Sequence, residues 1–132
     1  MRSELDEELP PPPPVKAALL RIPFVRRCDL AFDDGAAATA FLVNINVRGV
    51  YVAHDEMPRL GQDVRVRFTL PDSERELSLE SSVVWLNPRQ QHPVHSLPPG
   101  FGVQFRNVSA EDAQSIEKVI TEYHARDPRA GS

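Results

Sequence analysis

The 132-residue sequence lacks several features that would mark whole classes of protein. It has one cysteine, Cys28, so an internal disulfide is excluded and a reducing compartment is expected. It has no apolar run long enough to cross a bilayer, and the apolar residues 17–20 are too few for the core of a signal peptide. The formal net charge of −4 argues against non-specific nucleic-acid binding. We therefore expect a cytoplasmic protein.

The sequence also lacks a recognisable set of catalytic or metal-binding residues. His92 and His95 lie in a stretch rich in proline and glutamine, but Pro93 between them prevents ordinary helical spacing, and no ligand pattern surrounds them. The serines have no histidine and aspartate arranged for nucleophilic catalysis. We expect no enzyme activity, no metal site and no required cofactor.

Period-two alternation of apolar and polar residues dominates residues 22–105 and predicts β-structure. The predicted strands cover residues 22–32, 40–43, 50–53, 64–70, 77–86 and 100–105. Residues 33–35, Asp-Asp-Gly, are a hairpin turn signal. The period then changes, because Ser109 is a candidate N-cap and the apolar residues from Ala113 to Tyr123 share one helical face. Closely spaced antiparallel strands favour a small barrel, with the helix against it or over its open end.

Arg26 does not fit simple alternation, and the single tryptophan also has a predicted location. Arg26 falls on the apolar face of the first strand, so either a bulge or the strand start redirects it, or it lines a barrel mouth. Trp85, near the end of the fifth strand, is expected in the core or in the barrel wall.

The two ends of the chain differ in composition from the centre. Residues 1–18 are acidic and then proline-rich, with five consecutive prolines at 10–14 that favour an extended spacer or a ligand for an aromatic groove. We predict a flexible arm at 1–18, one domain at 19–124 and a disordered tail at 125–132.

A polar corner at residues 44–49 separates the second and third predicted strands. The side chains of Asn44 and Asn46 can bond backbone groups, and Gly49 can take a positive φ. About twenty residues upstream lies a cluster of arginines, which suggests anion binding. These are Arg21, Arg26 and Arg27.

Residues 19–124 resemble a PilZ domain. Arg21 followed by Ile22 and Pro23 is similar to the end of the family's RxxxR element, and residues 44–49 are similar to its [D/N]xSxxG element. The segments 60–61, 83–85, 100–105 and 109–112 also resemble the family pattern. The resemblance implies a six-stranded antiparallel split β-barrel with a C-terminal amphipathic helix. It also implies cyclic di-GMP as a ligand and a role in motility, polysaccharide secretion or related surface behaviour.

Two departures from the family pattern bear on the ligand. Ala17 stands where the first arginine of RxxxR is expected, with Lys16 beside it, and Asn46 replaces the family's serine. Loss of one charge-assisted contact costs roughly 1.5–3 kcal/mol, which would take a micromolar site toward about 0.1 mM. Lys16, Arg26 and Arg27 are candidates for compensation.

The resulting prediction is a non-enzymatic bacterial adaptor with weak or absent cyclic di-GMP binding. It would contact a protein of a motility or secretion system through the outer face of the barrel, the loop 87–99 or the proline-rich arm. The alternative is a cyclic di-GMP receptor with a variant motif. Its predicted nucleotide-binding residues are Arg21, Arg26, Arg27, Asn44, Asn46 and Gly49.

Overall fold

The structure, a computed structural model, describes residues 21–71, 75–89 and 97–126. These residues form six strands and one helix. In chain order they are β1 (Ile22–Phe32), β2 (Ala37–Asn46), β3 (Gly49–Ala53), β4 (Asp63–Thr69), β5 (Glu76–Asn87), β6 (Gly100–Phe105) and α1 (Ala110–Arg126). The predicted arm at 1–18 and the segment 127–132 lie outside the described residues, and the helix itself includes residues 125 and 126.

The strands close into one antiparallel barrel in the order β1-β2-β3-β6-β5-β4. Closure gives each of the six described strands a hydrogen-bonded neighbour on both sides. Alternation decides which side chains face inward. Along β4, Val64, Val66 and Phe68 are buried, whereas Arg65 and Arg67 between them are exposed. The predicted six-stranded antiparallel barrel with a C-terminal helix is confirmed.

The helix α1 covers one open end of the barrel. The backbone N–H of Asp112 donates to Ser109 Oγ at 3.0 Å, so Ser109 caps the helix as predicted. The buried side chains Ile116, Val119 and Ile120 join the core inside the barrel. Val47, in the turn between β2 and β3, packs against the same core. The helix therefore lies at the end where β1 begins and β2 turns into β3.

One ion-pair cluster fixes the start of α1 to the barrel. Arg75, just before β5, contacts Glu111 at 3.1 Å and also pairs with Asp112. Both carboxylates lie in the first helical turn, where negative charge also interacts favourably with the helix dipole.

Three irregularities interrupt the strand register, next to Arg26, Asn44 and Trp85. The register shifts between Pro23 and Arg26 on β1, between Leu42 and Asn44 on β2, and between Val83 and Trp85 on β5. The first is the bulge that was one of the explanations for Arg26. Because β2 continues past its irregularity to Asn46, the corner predicted at 44–49 is shorter than expected and consists of Val47 and Arg48.

Candidate functional site

The β2–β3 turn is built around the side chain of Asn46. Its Oδ1 accepts the backbone N–H of Arg48 at 2.8 Å and that of Gly49 at 2.9 Å. Such a side chain replaces the backbone acceptor that a tight turn requires. Asn46 is only 9% exposed, so its acceptor oxygen serves the turn. The predicted bond from Asn46 to the backbone is present in the structure.

Gly49 is required at this turn for a reason other than the predicted one. The glycines with positive φ among the described residues are Gly35 and Gly61, so the expectation of a positive φ at Gly49 was wrong. A Cβ added to Gly49 would lie 2.0 Å from the carbonyl oxygen of Val103 on β6. Gly49 therefore permits β3 and β6 to approach each other closely.

Arg21 and Asn44 form the centre of the candidate site. Arg21 Nη1 donates to Asn44 Oδ1 at 2.8 Å. Asn44 pairs with Pro23, whose side chain is exposed, so Asn44 belongs to the outer face of the barrel. Partial burial lowers the pKa of Arg21 from its usual value, but a guanidinium still carries its charge at neutral pH. The predicted neighbours Arg21, Asn44 and Gly49 thus lie together at the helix-covered end.

A row of outward-facing residues runs from Asn44 across three further strands. Asn44 pairs with Tyr51, Tyr51 with Gly102, and Gly102 with Trp85. Paired residues of antiparallel strands share one face of the sheet. The rings of Trp85 and Tyr51 have centroids 5.5 Å apart, and a Cβ on Gly102 would sit 3.6 Å from Trp85. Trp85 therefore leans over Gly102 toward Tyr51.

Trp85 is the residue of this surface that the sequence did not assign to the site. It is 45% exposed, so it belongs to the barrel wall and not to the core. Tyr51 beside it is buried, and its hydroxyl donates to the Pro98 carbonyl at 2.6 Å and accepts from Asn87 at 3.0 Å. Burial raises the pKa of Tyr51, which keeps the hydroxyl protonated as a donor.

The other two predicted arginines lie away from the Arg21–Asn44 pair. Arg26 reaches the end of β4, where its Nε is 3.0 Å from the Thr69 carbonyl and its Nη2 is 3.1 Å from Thr69 Oγ1. Arg27 is exposed on the outer face opposite Phe41, three residues before Asn44 along β2. The structure therefore places Arg26 in a structural contact and Arg27 on the same face as Asn44 but farther down the barrel.

Some arginines on the barrel surface form ion pairs with carboxylates, and others do not. Five arginines on β4 and on the connections form ion pairs with carboxylates. These are Arg65, Arg67, Arg75, Arg89 and Arg106. The other arginines of the described residues have no carboxylate within 4.0 Å. These are Arg21, Arg26, Arg27, Arg48, Arg59 and Arg126. The face formed by β1, β2 and their turn into β3 is thus locally positive in a protein of net charge −4.

A second concave surface lies over β1, β2 and β4, away from the Arg21–Asn44 pair. It is lined by Ala31, Ala37 and Thr39 together with charged residues. Its charges are already paired, since Arg67 lies 3.3 Å from Asp29. The Arg21–Asn44 pair, and not this groove, is the candidate site.

The described part of the chain contains neither a metal-binding cluster nor a membrane-spanning helix. Residues 21–71, 75–89 and 97–126 contain no group of three or more His, Cys, Asp or Glu side chains placed to hold a metal. His92 and His95 lie outside these ranges. Among the same residues, no helix is both long and apolar enough to cross a membrane.

Comparisons with known proteins agree with the observed fold. The PilZ domain family matches residues 19–122. The PilZ domain of YcgR from Escherichia coli, solved with c-di-GMP, shares 15% identity and a TM-score of 0.61, over 81% of this chain and 92% of that one. The PilZ domain of CeSA from a cellulose-synthesizing bacterium shares 16% identity and a TM-score of 0.55, over 79% and 97%.

A third similar structure is that of a motility inhibitor. The inhibitor of motility MotI/DgrA from Bacillus subtilis shares 17% identity and a TM-score of 0.67, over 82% of this chain but only 50% of that protein. No curated protein sequence matches the chain. At these identities the solved structures establish the fold alone.

The match of the family over residues 19–122 covers most of the chain and includes both the Arg21 element and the turn at 44–49. PilZ domains are non-enzymatic modules that bind cyclic di-GMP. The barrel order, the covering helix and the family match together lead to one conclusion: the chain belongs to the PilZ domain family.

Proposed function

We propose that this chain is a PilZ adaptor that binds cyclic di-GMP weakly, at the outer face around Arg21 and Asn44, and acts through contacts with a protein partner. The observation that carries the proposal is the 2.8 Å bond between Arg21 and Asn44. It holds one guanidinium on the outer face, where the family pattern would supply two, and Ala17 stands at the position of the other.

The chemistry of the Arg21–Asn44 pair suits a phosphate. A guanidinium binds phosphate oxygens through two parallel hydrogen bonds. Asn44 is neutral, so it orients Arg21 without cancelling its charge, which a carboxylate in its place would do. The positive charge of this face therefore remains available to an anionic ligand.

The row that ends at Trp85 offers a surface for the base of the same ligand. Three strand spacings separate Asn44 from Trp85, which is roughly 14 Å along the barrel wall. The lean of Trp85 toward Tyr51 shortens the gap. Stacking of a base on an exposed aromatic ring contributes roughly 1–3 kcal/mol. A cyclic dinucleotide has both phosphates and bases, so one molecule can engage both ends of the row.

Two contacts support weak rather than tight binding. Arg26 donates to Thr69, so using it for a ligand would break bonds that the barrel already has. Asn46 Oδ1 is engaged by the turn, whereas the family has a serine at this position. With one charge-assisted contact missing, affinity should be lower by about 10- to 100-fold, which places Kd on the order of 0.1 mM.

The protein-contact part of the proposal is supported by apolar side chains on the same side of the barrel. Val25 on β1 is 77% exposed and Phe41 on β2 is 54% exposed, on neighbouring strands beside the unpaired Arg27. Such side chains on a folded surface are typical of recognition sites when they lie together. The similarity to the motility inhibitor MotI/DgrA makes a protein of a motility system the proposed partner. A Val25→Ser and Phe41→Ser double variant should lose that partner in pull-down experiments.

The test of the ligand-binding part is a titration of the full chain with cyclic di-GMP up to millimolar concentration. Binding is measured by calorimetry and by NMR. We expect binding near 0.1 mM for the native chain, a gain of about 10-fold or more for Ala17→Arg, and a loss for Arg21→Ala. The matched control is Arg65→Ala, which removes the same charge from β4, the strand opposite β3 in the barrel. This control should bind like the native chain.

Two results would contradict the proposal. Micromolar binding by the native chain, lost in Arg21→Ala, would instead establish the alternative, a receptor with a variant motif. Binding unaffected by Arg21→Ala would move the ligand away from this face altogether.

A further inference from the structure

Arg48 is an exposed arginine at the tip of the β2–β3 turn, and its backbone is held on both sides. Its N–H donates to Asn46 Oδ1 at 2.8 Å, and its carbonyl accepts the N–H of Phe105 at 2.7 Å. Its guanidinium has no carboxylate within 4.0 Å among the described residues. Arg48 is thus an exposed cation on a fixed backbone, without an ion-pair partner in the described part of the chain.

Arg48 lies close along the chain to the Arg21–Asn44 pair. Asn44 and Asn46 are two residues apart on β2, which corresponds to roughly 7 Å, and Arg48 lies beyond Asn46, after Val47. The Oδ1 of Asn46 is engaged by the turn, and Gly49 has no side chain. Arg48 and the Arg21–Asn44 pair therefore lie at the same end of the barrel.

We infer that Arg48 is the second cationic contact for the phosphates of the ligand and partly replaces the arginine that is absent at position 17. This inference rests on the proposed function, since it adds a residue to the same site. Arg48 also differs from the other candidates. Arg26 is bonded to Thr69, and Arg27 lies about three residues, roughly 10 Å, farther along the barrel wall from Asn44.

The experiment compares Arg48→Ala, Arg48→Lys and Arg65→Ala in the full chain, each titrated with cyclic di-GMP by NMR to millimolar ligand. We expect Arg48→Ala to weaken binding about 10-fold, because one charge-assisted contact is lost. Arg48→Lys keeps the charge but loses the planar fork, so an intermediate loss is expected. Arg65→Ala, the control that removes the same charge from β4, should stay within about 2-fold of the native chain.

The same Arg48→Ala substitution in an Ala17→Arg background tests whether Arg48 replaces the missing arginine. If Arg48 and the arginine introduced at position 17 serve one phosphate group, their effects on affinity are not additive. The loss of affinity caused by Arg48→Ala should then shrink to about 3-fold or less in the Ala17→Arg background. An equal loss in both backgrounds would overturn the replacement and leave Arg48 as an independent contact.

The remaining outcomes separate this inference from the proposed function. If Arg21→Ala abolishes binding while Arg48→Ala binds like the Arg65→Ala control, the inference is overturned and the proposed function stands. If the native chain shows no binding at millimolar ligand while Ala17→Arg binds, the inference is also overturned, because Arg48 then compensates for nothing. If Arg21→Ala has no effect, the proposed site itself is wrong.

Discussion

Gly49 is the residue of the β2–β3 hairpin at which one added methyl group should have the largest effect on stability. The Cβ of an alanine would lie 2.0 Å from Val103 O, 3.1 Å from Val103 C and 3.2 Å from Gln104 Cα. All three atoms belong to the backbone of β6, so no side-chain rotation relieves the overlap. Strands β3 and β6 would have to separate by about 1 Å or more at this end.

The cost follows from what that separation disturbs. Forcing an extra group into a packed contact costs about 1–3 kcal/mol. The N–H of Phe105 donates to the Arg48 carbonyl at 2.7 Å next to the clash, and its weakening adds about 0.5–1.5 kcal/mol. We expect Gly49→Ala to lower the free energy of unfolding by about 2–4 kcal/mol. For a domain of about 100 residues this lowers Tm by roughly 10–25 °C.

Urea unfolding, followed by the fluorescence of the single tryptophan, Trp85, and by circular dichroism, measures this loss. The matched control is Gly102→Ala on β6, where the new Cβ would meet only Trp85, at the ordinary contact distance of 3.6 Å. Its stability should stay within about 0.5 kcal/mol of the native chain or rise slightly, because alanine restricts the unfolded state. A Gly49→Ala variant as stable as the Gly102→Ala control would refute the steric argument. If Gly49→Ala is destabilised as expected, a loss of ligand binding by a Gly49 variant can result from partial unfolding. Binding measurements on such variants must therefore include a check that the protein is folded.

Two further predictions concern Asn46 and Cys28. Asn46→Ala leaves the N–H groups of Arg48 and Gly49 without their acceptor and should lower stability in urea by about 1–2 kcal/mol, whereas Asn46→Asp keeps the acceptor and should lower it less than Asn46→Ala does. Burial raises the pKa of Cys28 to about 12, so iodoacetamide at about pH 8 should label it slowly unless urea is present. Because the folded thiol holds its proton more tightly than the unfolded one, whose pKa is 9.0, its contribution to stability is complete below about pH 9 and declines as pH rises toward 12. A Cys28→Ala variant should lack this part of the decline in urea midpoints.

The elements of the fold were predictable because each has a strong local signal. The strict alternation of β4 and the Asp-Asp-Gly turn at 33–35 each depend on residues close in sequence. The turn forms as expected, with the Gly35 N–H donating to the Phe32 carbonyl at 3.0 Å and Gly35 at φ +90°. The change of period after Ser109 likewise required only the helix's own residues. The role of Gly49 was not predictable, because it depends on the carbonyl of Val103, more than fifty residues away.

The composition of the candidate site depends on the irregularities in the strands, which is why sequence reasoning found only part of it. Leu42 faces the core, and strict alternation along β2 would have put Asn44 on the same inner face. The shift after Leu42 instead pairs Asn44 with Tyr51 on the outer face and places Ile45 in the core.

The same reasoning applies to β5. Val83 is buried, and strict alternation would have buried Trp85 too, which is one of the two locations predicted for it. The shift after Val83 pairs Trp85 with Gly102 and exposes it. Each irregularity has two residues facing one on the partner strand, so it is defined by the pairing and not by either sequence alone. Two such shifts, on strands separated by β3 and β6, bring Asn44, which holds Arg21, and an exposed indole into one row.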